Sequence, residues 1–150
     1  MTFYTGRTGS LKVVGTGESE PTKKVAKIRD WSLETTVELL STAAIDSIAS
    51  TYTPGIKGAT GSATLIYYRV TGPEIAEYYE FTKLLNKIMK EGAITENQKV
   101  RLELNVGGNA DDDIRFDAYI TSAQVGASTG ELSIVPIQFT MDGDFLDVIK

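Results

Sequence analysis

The chain contains no cysteine and no histidine. Without cysteine there are no disulfides and no thiolate metal sites, redox chemistry says nothing of the compartment, and the core must stabilise itself. Without histidine the commonest general base, the Ser-His and Cys-His nucleophile pairs and the usual zinc ligands are all missing. A pair of carboxylates can still run hydrolysis, but it needs two acids in different environments, and nothing marks such a pair among the 20 acidic residues. The reading is therefore not an enzyme, with no catalytic residue, no cofactor and no metal site. Basic residues number only 15, giving a net charge of −5, which argues against a protein that grips a phosphate backbone. No run of 18 apolar residues occurs, and Met1 to Arg7 lacks a basic segment followed by an apolar one. A soluble intracellular product without a membrane-spanning segment is expected.

With 150 residues, 41% of them hydrophobic, one self-sufficient domain over 1–150 is the natural expectation. Leu11 to Val14, the glycine turn Gly15-Thr16-Gly17 and the resumption at Val25 suggest an opening hairpin. Glu20 stands where a dinucleotide fingerprint needs its third glycine, so the glycines read as a turn. Val25, Ile28, Trp31 and Leu33 keep an imperfect period of two, compatible with a strand bulged near Arg29-Asp30. Trp31 reads as core, the other reading being a ligand platform.

Residues Thr35 to Ile56 follow neither period: Leu39, Leu40, Ile45, Ile48 and Tyr52 are scattered among Ser, Thr and Ala. This reads as a long excursion whose apolar content argues against disorder and makes it a candidate contact site. Pro54 and Gly55 suit a type II turn, where the chain should reverse. Gly58 to Ser62 lacks the Gly-Lys-Ser/Thr ending of a phosphate loop. Ala63 to Val70, rich in β-branched and aromatic residues, reads as a strand.

One helix is expected, from Pro73 to Glu91: proline in its first turn, Glu74, Glu77 and Glu80 early, Lys83, Lys87 and Lys90 late, Gly92 beyond. Its apolar stripe, Ile75, Tyr78, Tyr79, Leu85, Ile88 and Met89, suits packing on a sheet, with a partner groove as the alternative. Lys99 to Val106 and Ile114 to Thr121 alternate without a fault, so each strand buries one face. Between them Asp111-Asp112-Asp113 reads as a solvated loop, because the spacing and terminal Glu of a calcium-binding EF-hand are missing. A last strand runs from Glu131 to Met141, Pro136 marking an edge or bulge, and ends in the turn Asp142-Gly143-Asp144 before the apolar tail Phe145 to Ile149.

Taken in order, the block Lys27-Ile28-Arg29-Asp30-Trp31-Ser32-Leu33-Glu34, the long insert, Thr51-Tyr52-Thr53-Pro54-Gly55 and the Gly58 to Leu65 strand resemble phage tail tube proteins, the major tail proteins of long-tailed bacteriophages. The resemblance implies a mainly β fold with one helix, an antiparallel β-sandwich or split barrel flanked by that α-helix, with a long protruding loop. It implies hexameric rings stacked into a tube that conducts DNA during ejection. The loop, about 35–57, would contact the next ring through Leu39, Leu40, Ile45, Tyr52, Pro54 and Ile56, and the terminal arms would bridge neighbours. In a closed ring the polar strand faces would line the lumen, with Lys99, Arg101, Glu103 and Asn105 on one strand and Arg115, Asp117 and Tyr119 on the next. Implied partners are further copies of the chain, the tape measure, terminator and sheath proteins, and double-stranded DNA passing without specific binding. The implied location is the virion tail, assembled in the host cytoplasm. Two other readings stay open: the tube of a contractile injection or secretion apparatus, and a monomeric small-ligand-binding β-barrel.

Overall fold

The computed structural model describes residues 9–14, 23–25, 28–45, 48–69, 71–73, 82, 85 and 99–150. Seven strands occur among them: β1 (Ser10–Val14), β2 (Lys23–Lys24), β3 (Ile28–Ser41), β4 (Tyr52–Ile66), β5 (Val100–Asn105), β6 (Asp113–Ala123) and β7 (Ile134–Asp147). They form one open antiparallel sheet in the order β2-β1-β5-β6-β7-β4-β3. Although four strands separate them, β1 and β3 approach one another, so the sheet is strongly coiled.

The period-two strands dictate where the core sits. Leu11 and Val13 of β1, Val100, Leu102 and Leu104 of β5, Phe116, Ala118 and Ile120 of β6, and Val135, Ile137, Phe139 and Met141 of β7 all point to one face and are buried. Ala59, Ala63 and Leu65 continue that face on β4, and Trp31 and Leu33 pack against it from β3. Phe116 is the hub. Its ring lies 5.8 Å from that of Phe139 and 5.9 Å, edge on, from that of Phe145, arrangements that add to the area these rings remove from water. The expected helix falls almost wholly outside the described residues. Of the three residues described within it, Pro73 lies in a 3-10 turn, Thr82 and Leu85 are α-helical, and Leu85 is buried in the core.

One strand reading is confirmed in type and two turns are corrected. The bulge near Arg29-Asp30 is present as a register shift between Ile28 and Asp30. The chain does not reverse at Pro54-Gly55, however, because both lie inside β4, and the reversal comes between Ser41 and Tyr52. Proline is tolerated there because β4 has only β3 as a neighbour at that level, leaving one edge that needs no donor. Likewise Asp142-Gly143-Asp144 is a bulge within β7: Asp142 pairs with Asp117 and Phe145 with Phe116, and Gly143 at φ +80° accommodates the extra residues. Pro136 sits in an interior strand, just beyond the β6 ladder, where its carbonyl accepts from the Gln124 N–H at 3.1 Å.

Gly61 explains how β3, β4 and β7 pack so closely. A Cβ there would come within 2.5 Å of both the Phe139 ring and the Ser32 carbonyl oxygen. Gly61→Ala should therefore destabilise the fold by about 1–3 kcal/mol through overpacking, read as a lower midpoint in urea unfolding. An unchanged midpoint would contradict this packing.

Candidate functional site

Beyond Thr60 the β4 strand loses its β7 neighbour, and β3 and β4 continue alone as a two-stranded ribbon. From Thr35 to Ser41 it projects about 20 Å at a rise of roughly 3.3 Å per residue. The excursion is thus an ordered arm rather than a loop. Its end is closed by the Thr42 N–H donating to the Thr51 carbonyl at 2.8 Å, with their hydroxyls 2.7 Å apart. Cross-strand partners share a face, so Val37, Leu39, Tyr52 and Pro54 extend the core-facing side of the sheet, whereas Leu40 and Thr53 lie on the other side. Leu39 is 59% exposed, Tyr52 58% and Ile56 79%, and Ile45 at the end is wholly exposed. The structure therefore places all six expected contact residues, Leu39, Leu40, Ile45, Tyr52, Pro54 and Ile56, on one arm that its own chain leaves uncovered.

The root of the arm is clasped to β7. Lys57 Nζ lies 2.5 Å from Asp144 Oδ1 and 5.7 Å from the centre of the Phe145 ring. Asp144 is held below the ordinary carboxylate value of 3.8, first by the Lys57 ammonium and then by the Phe145 N–H donating to it. A depressed carboxylate supports the contact above its unfolded-state value and loses it as the pH falls through the lowered one.

On the opposite side of the sheet from the core, β1, β5 and β6 carry a ladder of ion pairs between directly opposed residues, and one further pair reaches across β6 to β7. Arg101 donates to Asp117 through Nε at 2.8 Å and Nη2 at 3.3 Å. Arg115 donates to Glu103 at 2.6 and 3.2 Å, and Lys12 approaches the same carboxylate at 3.6 Å. Lys99 meets Asp142 at 2.8 Å and lies 6.0 Å from the Tyr119 ring centre. Asp142 raises the Lys99 ammonium, and Asp117 raises the Arg101 guanidinium. Lys12, Lys99, Arg101 and Arg115 are thus each engaged by an acid of the same chain.

Of the seven residues expected to line a lumen, Lys99, Arg101, Arg115, Asp117 and Tyr119 are half-buried on this face. Glu103 and Asn105 are buried within the chain. Asn105 is committed to the following turn: its amide donates to the Asn109 carbonyl and to Asp113 Oδ1, both at 2.6 Å, and its oxygen accepts from the Gly108 N–H. Sequence reasoning missed the other half of the face, where Gln138 and Thr140 of β7, Thr60 and Ser62 of β4, and Ser32 and Glu34 of β3 present hydroxyls, an amide and one acid. The alternation of Ile137, Phe139 and Met141 with Gln138 and Thr140 carried that signal.

At the end of the sheet away from the arm, an open groove of about 840 Å³ runs beneath the segment joining β6 to β7. Arg29, Ile66, Leu132, Ile134 and Pro136 are among its lining residues. Among the described residues no group of acids is arranged to hold a metal ion, and no helix is long and apolar enough to cross a membrane.

No family model and no curated protein matches the sequence. Solved structures do match the fold. The tail of an empty gene transfer agent particle, refined with C6 symmetry, aligns at a TM-score of 0.65 over 94% of this chain and 96% of its own, at 12% identity. The chain has a tail tube fold. The SPP1 tail tube aligns at 0.61 over 93% of this chain and 76% of its own, again at 12% identity. A protein of the anti-feeding prophage baseplate aligns at 0.61 over 99% and 98%, at 10% identity. At such identities the likeness is one of fold alone.

Glu103→Gln leaves Arg115 and Lys12 facing a neutral amide in a buried site, and should cost about 1–3 kcal/mol in chemical unfolding. A loss within error would show that the ladder contributes nothing. An NMR titration should place the Asp144 midpoint below 3.8 in the native chain and return it towards that value in Lys57→Ala. Identical midpoints would refute the clasp.

Proposed function

We propose that this chain is the repeating subunit of a tail tube, six copies closing into a ring and rings stacking into a conduit for double-stranded DNA. The observation that carries the reading is the ordered, apolar arm on a tail tube fold, since an exposed two-stranded ribbon bearing Leu39, Leu40, Tyr52 and Ile56 is stable chiefly when another molecule covers it. The whole of 1–150 acts as one tube domain, a split barrel in which the coiled sheet is flanked by the helix over Pro73 to Glu91. Terminal arms bridge neighbouring copies. The polar face, with Lys99, Arg101, Arg115, Asp117 and Tyr119, lines the lumen.

The electrostatics fit a conduit better than a binding protein. Six copies at −5 each carry −30, a field that disfavours adhesion of a polyanion, and the ion-paired cations of the polar face are already neutralised. Passage needs weak contact. In a phage tail the remaining partners are the tape measure, terminator and, in a contractile tail, sheath proteins, and the site of action is the virion tail after assembly in the host cytoplasm. A second reading, the tube of a contractile injection apparatus, is favoured by the fold likeness to the anti-feeding prophage baseplate protein and to an extracellular contractile injection sheath-tube complex. Both readings require the same assembly.

Negative-stain microscopy and light scattering of the purified chain should show rings and tubes. Shortening the arm between Val37 and Lys57 should leave a folded protein that no longer elongates. A shortened chain that still forms long tubes would mean that the arm does not stack the rings, and a monomeric native chain would favour the ligand-binding barrel.

A further inference from the structure

The arm and the groove lie at opposite ends of the same sheet, and each has what the other lacks. The strands run from the arm at Tyr52 and Ser41 to the groove at Ile66 and Arg29, about 45 Å along β4. The arm offers Leu39, Leu40 and Ile56 without cover, and the groove offers Ile66, Leu132, Ile134 and Pro136, of which Leu132 is 75% exposed. Charge is matched as well. Glu38 on the arm and Arg29 in the groove are exposed, and among the described residues neither has an ion-pair partner, whereas Lys57 is held by Asp144. Glu131 also lines the groove, so an acidic arm residue is favoured on the Arg29 side alone, which fixes the orientation of an incoming ribbon.

We infer that the groove between the β6–β7 segment and the end of the sheet is the receptor for the arm of a second copy of this chain, Glu38 pairing with Arg29 while Leu40, two residues on and on the same face of the ribbon, covers Leu132 and Ile134. The inference rests on the tube reading and names the surface on which its arm docks. Because donor and acceptor surfaces differ, the contact is heterologous: each copy engages one neighbour through its arm and another through its groove. Such a contact propagates along an axis instead of closing as a pair. It supplies a direct reason for stacking. The groove has room for several apolar side chains, and its open mouth accepts a ribbon rather than an enclosed small molecule.

The absence of cysteine makes the test clean. A chain carrying Leu40→Cys and Leu132→Cys should, on mild oxidation of assembled tubes, give a covalent ladder extending beyond the dimer, and either single variant should not. Arg29→Glu and Glu38→Arg should each raise the protein concentration needed for elongation by about tenfold, and their combination should restore it. Intact tubes of the double-cysteine chain without a ladder would overturn the docking assignment, as would normal elongation of Arg29→Glu. A native chain that forms no tubes fails the tube reading itself, a result separable from either of these.

Discussion

One-sided burial of the sheet governs the molecule. The apolar face is filled by Phe116, Phe139, Leu102, Leu104, Ile137 and their neighbours, so the other face must satisfy its own polar groups or present them to water. It does both. On β1, β5 and β6 the charges pair with directly opposed partners, Lys99 reaches across β6 to Asp142 of β7, and on β7, β4 and β3 charges give way to serine, threonine and glutamine. Where β4 outruns β7 the core ends, but the ribbon continues, and its apolar side chains then have nothing of their own chain to cover them.

The proposed function grows from these two leftovers, a polar face with no covering layer among the described strands and an apolar ribbon with no core. A ring that turns the polar face inward and a stack that buries the ribbon resolve both. Ion pairing on the face also separates two roles that net charge would merge. The overall −5 sets a long-range field, whereas the pairing of Arg101, Arg115, Lys99 and Lys12 removes the local cations that would otherwise hold phosphate groups.

Much of the fold was legible because one-sided burial imposes a strict period on β5, β6 and the middle of β7, and a Lys99 or Phe116 cannot exchange faces without breaking it. The Arg29-Asp30 bulge was readable for the same reason, as a fault in an otherwise regular period. Residues 35–57 were not readable as strands because both faces of the ribbon meet water, which leaves Thr36, Glu38 and Leu40 free of any alternation. Pro54-Gly55 and Asp142-Gly143-Asp144 carried turn composition, yet they are strand irregularities: turn residues suit any local departure from the extended chain, and pairing partners far away in sequence decide which. Of the candidate site, the arm stood out by its scattered apolar residues in a stretch rich in Ser, Thr and Ala, and its contact role came with the resemblance. Burial of Glu103 depends on Arg115 and Lys12 from two other strands, and the groove on Arg29, Ile66 and the Gln124 to Pro136 segment, far apart in the chain. Neither relation is written in any local pattern.

A cryo-electron microscopy map of tubes assembled from the native chain, traced at side-chain level, tests the central claim most directly. The account predicts six copies per ring, with the Arg101–Asp117 and Lys99–Asp142 pairs and the Thr60, Ser62 and Gln138 side chains facing the central channel. A channel lined by any other surface of the subunit, with this polar face turned outward or buried between copies, would contradict it.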